Sequence, residues 1–225
     1  MNYLIFLRAR VGLPAQRFKE WYVNQFAVRA AELCPAIRRH VANLAVEGPP
    51  ELRSPQDCAD PRARYDVVAS LELDDNAAFC VILGDAALAD WTDVRNGYRV
   101  SDTVVIDREP ERANSLPGYK ILREILFHAD MPDSAARRSW IHHGQLARRV
   151  HVGVTRYIQH WVEERYGTDP PPVRGISDLY LPDWETMARH YYDSPRGRDE
   201  VSHDAGHFIE SQLPRVYARE HVLVR

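Results

Sequence analysis

The chain carries its own second copy. PAQRFKEWYVNQFAVRAAELCPAIRRHVANLAV (14–46) lies over PDSAARRSWIHHGQLARRVHVGVTRYIQHWV (132–162). Trp21 falls on Trp140 and Asn24 on His143. After a two-residue gap, Arg39 falls on Arg156 and His40 on Tyr157. Further on, SLELDD (70–75) lies over DLYLPD (178–183). YRVSDTVVI (98–106) lies over YAREHVLV (217–224), which sets Asp102 on His221. A period of roughly 118 residues is far too long for a solenoid repeat, so the unit duplicated is a domain. The two copies span residues 1–108 and 118–225, joined by the polar, proline-containing stretch DREPERANSLPG (107–118).

Each copy reads in the same order. A strand (2–9 or 118–127) precedes a helix that opens near Pro14 or Pro132, where proline suits a first turn. The helix ends near residue 33 or 151. A second strand follows (37–47 or 154–163), then a loop rich in proline and charge (48–63 or 164–172), a third strand (65–73 or 173–181), a helical stretch and a last strand. That order is βαββαβ, the ferredoxin-like unit, and the fold class is α+β. YLIFL, YDVVASL and HVLV are apolar on both faces and need cover on both. This predicts that the two sheets pack face to face as a barrel within the one chain, around a cavity of their own.

Composition narrows the function. An apolar content of 45% supports a packed core, and a net charge of -3 leaves no basic footprint for nucleic acid. No apolar run reaches the roughly 20 residues of a membrane helix. Cys34, Cys58 and Cys80 all fall in the first copy without metal or disulfide spacing, which fits a reduced, cytoplasmic protein. No glycine-rich phosphate loop, nucleophile elbow or Cys/His metal motif is present.

The segments WIHHGQL (140–146), RYIQH (156–160), DAGHFI (204–209) and REHV (219–222) resemble the EthD-like branch of the dimeric α+β barrel superfamily, here as a fused tandem. The resemblance implies a small protein of a catabolic or polyketide pathway, related to cofactor-free isomerases and cyclases, with haem proteins as more distant relatives. It also implies that the helix histidine of a W-x-x-H pattern and a tyrosine on the following strand line the site. Here these are His143 and Tyr157. Asn24 and His40 stand at the matching places in the first copy, whose own site is therefore lost or altered, and both are candidate binding residues.

The residues themselves add to this. Of the 10 histidines only His40 precedes residue 128, an imbalance that duplicated packing does not require. His143 lies three residues after Trp140, on one side of the helix, and an imidazole is the commonest acid–base group near neutrality; a buried, hydrogen-bonded core histidine is the bland alternative. Tyr157, Gln159 and Trp161 share one strand face, read as lining the barrel cavity, and His160 the other. In YKILREILF (119–127), Arg123 and Glu124 point to opposite faces, so one enters the cavity and needs a partner or an anionic ligand. His221, equivalent to Asp102, is a pocket candidate. Tyr191 and Tyr192 could close over a ligand, and Asp204 caps or orients the last helix. His203 and His207 have a metal-compatible spacing but no carboxylate companions, so no metal is assigned. The resulting expectation is a cofactor-independent lyase or isomerase. His143, Tyr157 and His221 would be catalytic on a small aromatic or lactone-like substrate. Trp161, Arg123, Gln159, Tyr191, His40 and Asn24 would bind it. A non-catalytic carrier of a hydrophobic intermediate is the alternative, followed by a haem protein with His207 or His221 as axial ligand. A homodimer is compatible with the sequence.

Overall fold

The computed structural model describes residues 1–49, 65–108 and 118–224. The linker and most of the first proline-rich loop lie outside them. In the first half, β1 (Asn2–Ala9) leads to α1, a continuous helix of Ala15–Trp21, a π-helical turn Tyr22–Phe26, and Ala27–Leu33. Then come β2 (Arg39–Ala45), β3 (Val67–Glu72), α2 (Asn76–Leu83), α3 (Ala86–Trp91) and the long β4 (Thr92–Asp107). The second half runs β5 (Tyr119–Phe127), α4 (Asp133–Val150), β6 (Arg156–Tyr166), β7 (Gly175–Leu181), α5 (Trp184–His190), α6 (Pro195–Gly206), β8 (Ile209–Gln212) and β9 (Val216–Val224).

All strand pairings are antiparallel, and the order β7-β6-β4-β1-β3-β2-β9-β5 closes on itself because β5 also pairs with β7. The result is a closed barrel with two ferredoxin-like halves, β4-β1-β3-β2 and β6-β7-β5-β9. The halves meet edge to edge along two hydrogen-bonded seams, β4 with β6 and β2 with β9. Closure removes the open edges that a lone unit would carry. β8 and β9 share one edge of β5, at 125–127 and 120–122, and the chain breaks between them at Leu213–Arg215, where Pro214 has no N–H to give.

The alternation along each strand now has a direction. Leu4, Phe6, Val68, Tyr98, Val100, Leu122, Ile176, Val216 and Ala218 fill the lumen. The middle of the barrel is thus a packed plug, and the cavity left in the lumen is a small one at its end. The opposite faces of the strands meet helices. In the first half that layer is solid with rings: Phe18, Trp21, Tyr22 and Phe26 pack on the sheet, and Trp21 stacks on Trp91 at 4.5 Å. In the second half Trp140, Trp161, Phe127 and Phe208 form a smaller cluster.

Local chemistry sets the helix ends. Asp75, Asp85, Asp183 and Ser194 each accept a backbone N–H at the start of α2, α3, α5 and α6. Arg108, just past β4, donates to the carbonyls of Arg148, His151, Val152 and Val154 and so caps the end of α4. Gly175 marks the closest approach of α4 to the sheet: a Cβ there would lie 2.7 Å from Cζ3 of Trp140. Gly175→Ala is therefore expected to displace the indole and lower stability by about 1–3 kcal/mol, read as a reduced denaturant midpoint.

Candidate active site

The buried face of α4 carries Ala136, Trp140, His143, Gly144, Ala147 and Val150, spaced as one helical stripe. That stripe turns His143 inward with Trp140. Nδ1 of His143 lies 2.6 Å from Oδ2 of Asp204 on α6, and its ring meets Phe208 at 5.4 Å. Asp204 lies in the last turn of α6, where its carbonyl accepts from the His207 N–H, and its side chain reaches across to α4 and so orients the helix against it. With Nδ1 committed to the carboxylate, the tautomer and orientation of the ring are set, and Nε2 is the nitrogen offered to a ligand.

His143 borders a cavity of about 350 Å³ between the outer face of the second half-sheet and helices α4 and α6. Tyr157, Arg123, His151, Tyr191, Tyr192 and Arg215 are among its walls. Two arginines line it, and no carboxylate does among the described residues. His151 is buried and its Nδ1 donates to the Tyr191 carbonyl at 3.0 Å. Burial pushes its pKa down to about 4, so it is neutral at pH 7. Burial also raises Tyr157, Tyr191 and Tyr192 above the usual phenol range, which keeps them as neutral donors. The Tyr157 hydroxyl accepts from Nε2 of Gln159 at 3.4 Å, and the same Nε2 donates to the Trp140 carbonyl at 2.8 Å.

Of the residues singled out in sequence, Trp140, His143, Tyr157, Arg123, Tyr191 and Tyr192 come to this one cavity. It lies outside the barrel, so Tyr157, Gln159 and Trp161 face the helix layer and not the lumen; His160 is the residue that turns inward. Gln159 is buried behind Tyr157, and Trp161 packs against Phe127 and Trp140 without reaching the cavity. His221 is exposed on β9 and does not line it. The pairing of Asp102 with His221 is off by an odd number of residues, since Tyr98 faces the lumen and Tyr217 the helices. His40 is buried in the first half, hydrogen-bonded to the Tyr22 hydroxyl at 3.0 Å, with burial lowering its pKa to about 4. Asn24 is exposed, because the π-helical turn Tyr22–Phe26 rotates it off the buried stripe. His203 and His207 are exposed and pack on each other. Arg123 takes the cavity side, its Nε donating to the Leu213 carbonyl at 3.0 Å. Glu124 takes the lumen side and accepts from the Tyr98 hydroxyl at 2.5 Å. Burial pushes Glu124 up to about 7, against the hydrogen bonds of Tyr98 and Tyr65.

Sequence reasoning missed His151, Arg215 and the pairing of Asp204 with His143. His151 stood in the histidine-rich segment and could have been found there; the other two are long-range contacts with no local signal. A larger cavity of about 860 Å³ lies by Arg8, Arg95 and Arg165 at one barrel mouth, but among the described residues no histidine lines it.

No protein-family model matches the chain, and no curated protein matches it. Solved structures match it in shape. An anthrone oxidase-like protein superposes with TM-score 0.60 at 8% identity, over 100% of this chain and 93% of its own. A monooxygenase candidate from Lactobacillus acidophilus gives 0.56 at 7%, over 99% and 95%. A dye-decolorizing peroxidase from Bacteroides thetaiotaomicron gives 0.51 at 8%, over 96% and 91%. At such identities the likeness is one of fold. The shared fold is a closed α+β barrel, and it does not single out the EthD-like branch.

Proposed function

We propose that the chain is an enzyme of proton transfer, in which His143 removes a proton from a small anionic aromatic or lactone-like molecule held in the second-half cavity. The observation that carries this is an imidazole set by Asp204 at 2.6 Å beside a cavity lined by tyrosine and arginine and by no carboxylate among the described residues. Nε2 takes the proton, and the imidazolium so formed is stabilised by Asp204. The neutral Tyr157 hydroxyl donates to the oxygen where negative charge develops. Arg123 and Arg215 supply positive charge for a carboxylate or phenolate of the substrate. Isomerisation and elimination of a small fragment use this pair of roles; decarboxylation uses it in the reverse sense, the imidazolium giving its proton to the carbon that has lost CO2. A cofactor-free lyase or isomerase is the leading reading. The resemblance in shape to an anthrone oxidase-like protein favours one extension: a carbanion formed by the same first step can be oxidised by dioxygen as co-reactant.

The test is a screen of aromatic and lactone carboxylates by absorbance, followed by Tyr157→Phe on whichever substrate turns over. The variant is expected to lose about 10²-fold in kcat with KM little changed. Equal kcat would remove Tyr157 from the mechanism.

One observation favours a second reading. A carboxylate on the far nitrogen is also what orients a metal-ligating histidine. Haem would be held by His143, with Arg123 and Arg215 as cations of the same cavity, and would supply redox chemistry. His207 and His221, the earlier candidates, do not reach the cavity. At about 350 Å³ the cavity sits at the small end of the roughly 300–1,000 Å³ of ligand pockets, which favours the smaller ligand. Titration with haemin decides: a Soret shift at one equivalent that His143→Ala abolishes would establish haem, and its absence would remove it.

A further inference from the structure

The lumen has a second cavity, of about 140 Å³, at the barrel end where β1, β2, β5 and β6 begin. Its apolar side includes Leu4, Val41, Val100 and Ile158; the rest of its wall is largely polar, with the buried Lys120, His160 and Asp178 and the more open Arg39, Glu72 and Arg156. Lys120 Nζ lies 3.1 Å from Asp178 Oδ2 and 2.9 Å from Glu220 Oε2, all three side chains being almost fully buried. Nδ1 of His160 lies 2.7 Å from Asp102 Oδ1. Burial alone would lower the His160 pKa, but the hydrogen bond to Asp102 and the Asp178 carboxylate, whose Oδ2 lies 3.7 Å from Nε2 and beyond hydrogen-bond distance, outweigh it and raise the imidazole to about 9. His160 is therefore an imidazolium at neutral pH.

These contacts leave three buried atoms at one cavity with no hydrogen-bond partner among the described residues: Nε of Arg156, Nε2 of His160 and Oδ1 of Asp178. Two are donors and one is an acceptor. Burial makes each costly to leave unmet. A simple anion would satisfy Arg156 and His160 but lie against Asp178 and Glu220. A simple cation would satisfy Asp178 but lie against Lys120, Arg156 and His160. A molecule carrying both charges meets all three. The cavity is below the usual pocket size of roughly 300 Å³, and its apolar side takes a short hydrocarbon.

We infer that this end of the lumen binds a small zwitterion with an apolar side chain, of the size and charge of a free aliphatic α-amino acid. Its carboxylate accepts from Arg156 and His160, and its ammonium donates to Asp178. His160 and Gln159 are neighbours on β6 but face opposite sides, so this site is separate from the His143 cavity and does not depend on the reaction proposed there.

The experiment is calorimetric titration of the full chain with L-valine, with isobutylamine and isobutyrate as probes carrying one charge each. Valine is expected to bind at one site, and each probe at least about tenfold more weakly, as expected for loss of a charged hydrogen bond. Arg156 is half-buried at the start of β6, so Arg156→Leu is expected to keep the fold, checked by its melting curve, and to weaken valine about tenfold. Absence of valine binding at millimolar concentration, binding of either probe as tight as that of valine, or an unchanged affinity in Arg156→Leu would overturn the inference. A crystal grown with valine in which only water meets the three atoms would do the same.

Discussion

Replacing His143 by alanine is expected to cut turnover on the true substrate by about 10²–10⁴-fold, the range a positioned general base contributes. The fold should survive, because His143 stands at the border of a cavity and its loss enlarges that cavity rather than stripping a packed core. Asp204→Asn should show a smaller loss of the same kind. The amide keeps the shape but not the charge, so it no longer stabilises the imidazolium that forms when Nε2 takes the proton. The two variants together separate roles. If His143 served only to pack α4 against α6, both substitutions would lower the melting temperature and leave kcat alone. Unchanged kcat in His143→Ala, measured on a substrate whose turnover is saturable, would end the proton-transfer reading while leaving the fold untouched.

The barrel was legible because duplication and alternation are both local signals. Trp21 over Trp140 announced two copies, and strands apolar on both faces required cover on both. What alternation does not carry is which face is inside. A strand such as YIQHW places Tyr157 and His160 on opposite sides but is silent on which side meets helices and which meets the lumen, so the cavity was assigned to the wrong side of the sheet. The same blindness explains His221: a slip of one residue in pairing 98–106 with 217–224 exchanges the faces. Asn24 failed for a different reason. A π-helical turn adds a residue to the helix without changing its apolar content, and nothing in YVNQF marks it. His143 and Tyr157 came together because each sits in an element whose face is set by a large neighbour, Trp140 on the helix and Trp161 on the strand. Asp204 and Arg215 reach the site from segments more than fifty residues away, and only the packing of α6 and the break before β9 brings them there.

Lys120→Met is expected to be the most damaging single change to stability, at about 3–5 kcal/mol, because it leaves the Asp178 and Glu220 carboxylates buried without their shared cation. For a chain of this length that corresponds to a fall of about 10 °C in Tm. Lys120 tolerates burial only in company: burial alone would lower its pKa, but Asp178, Tyr180 and Glu220 outweigh that and hold it above the usual lysine range. The same cluster has a pH signature through His160. Its folded pKa, about 9, lies above the unfolded value near 6.5, so the folded state binds the extra proton between them. The stability it contributes is complete below about pH 6.5 and is lost as pH rises through 9, by up to about 3 kcal/mol. Glu124, raised to about 7, loses its own contribution between about pH 4.5 and 7. His40 and His151, lowered to about 4, act only below about pH 6.5. The window from pH 7 to 9 therefore belongs to His160 among these groups, and His160→Gln should flatten it. Denaturant midpoints across that window, in the native chain and the two variants, make the check. A native chain equally stable at pH 7 and 9, or a Lys120→Met protein within 1 kcal/mol of it, would mean that the buried cluster is solvated and does not hold β5, β7 and β9 together.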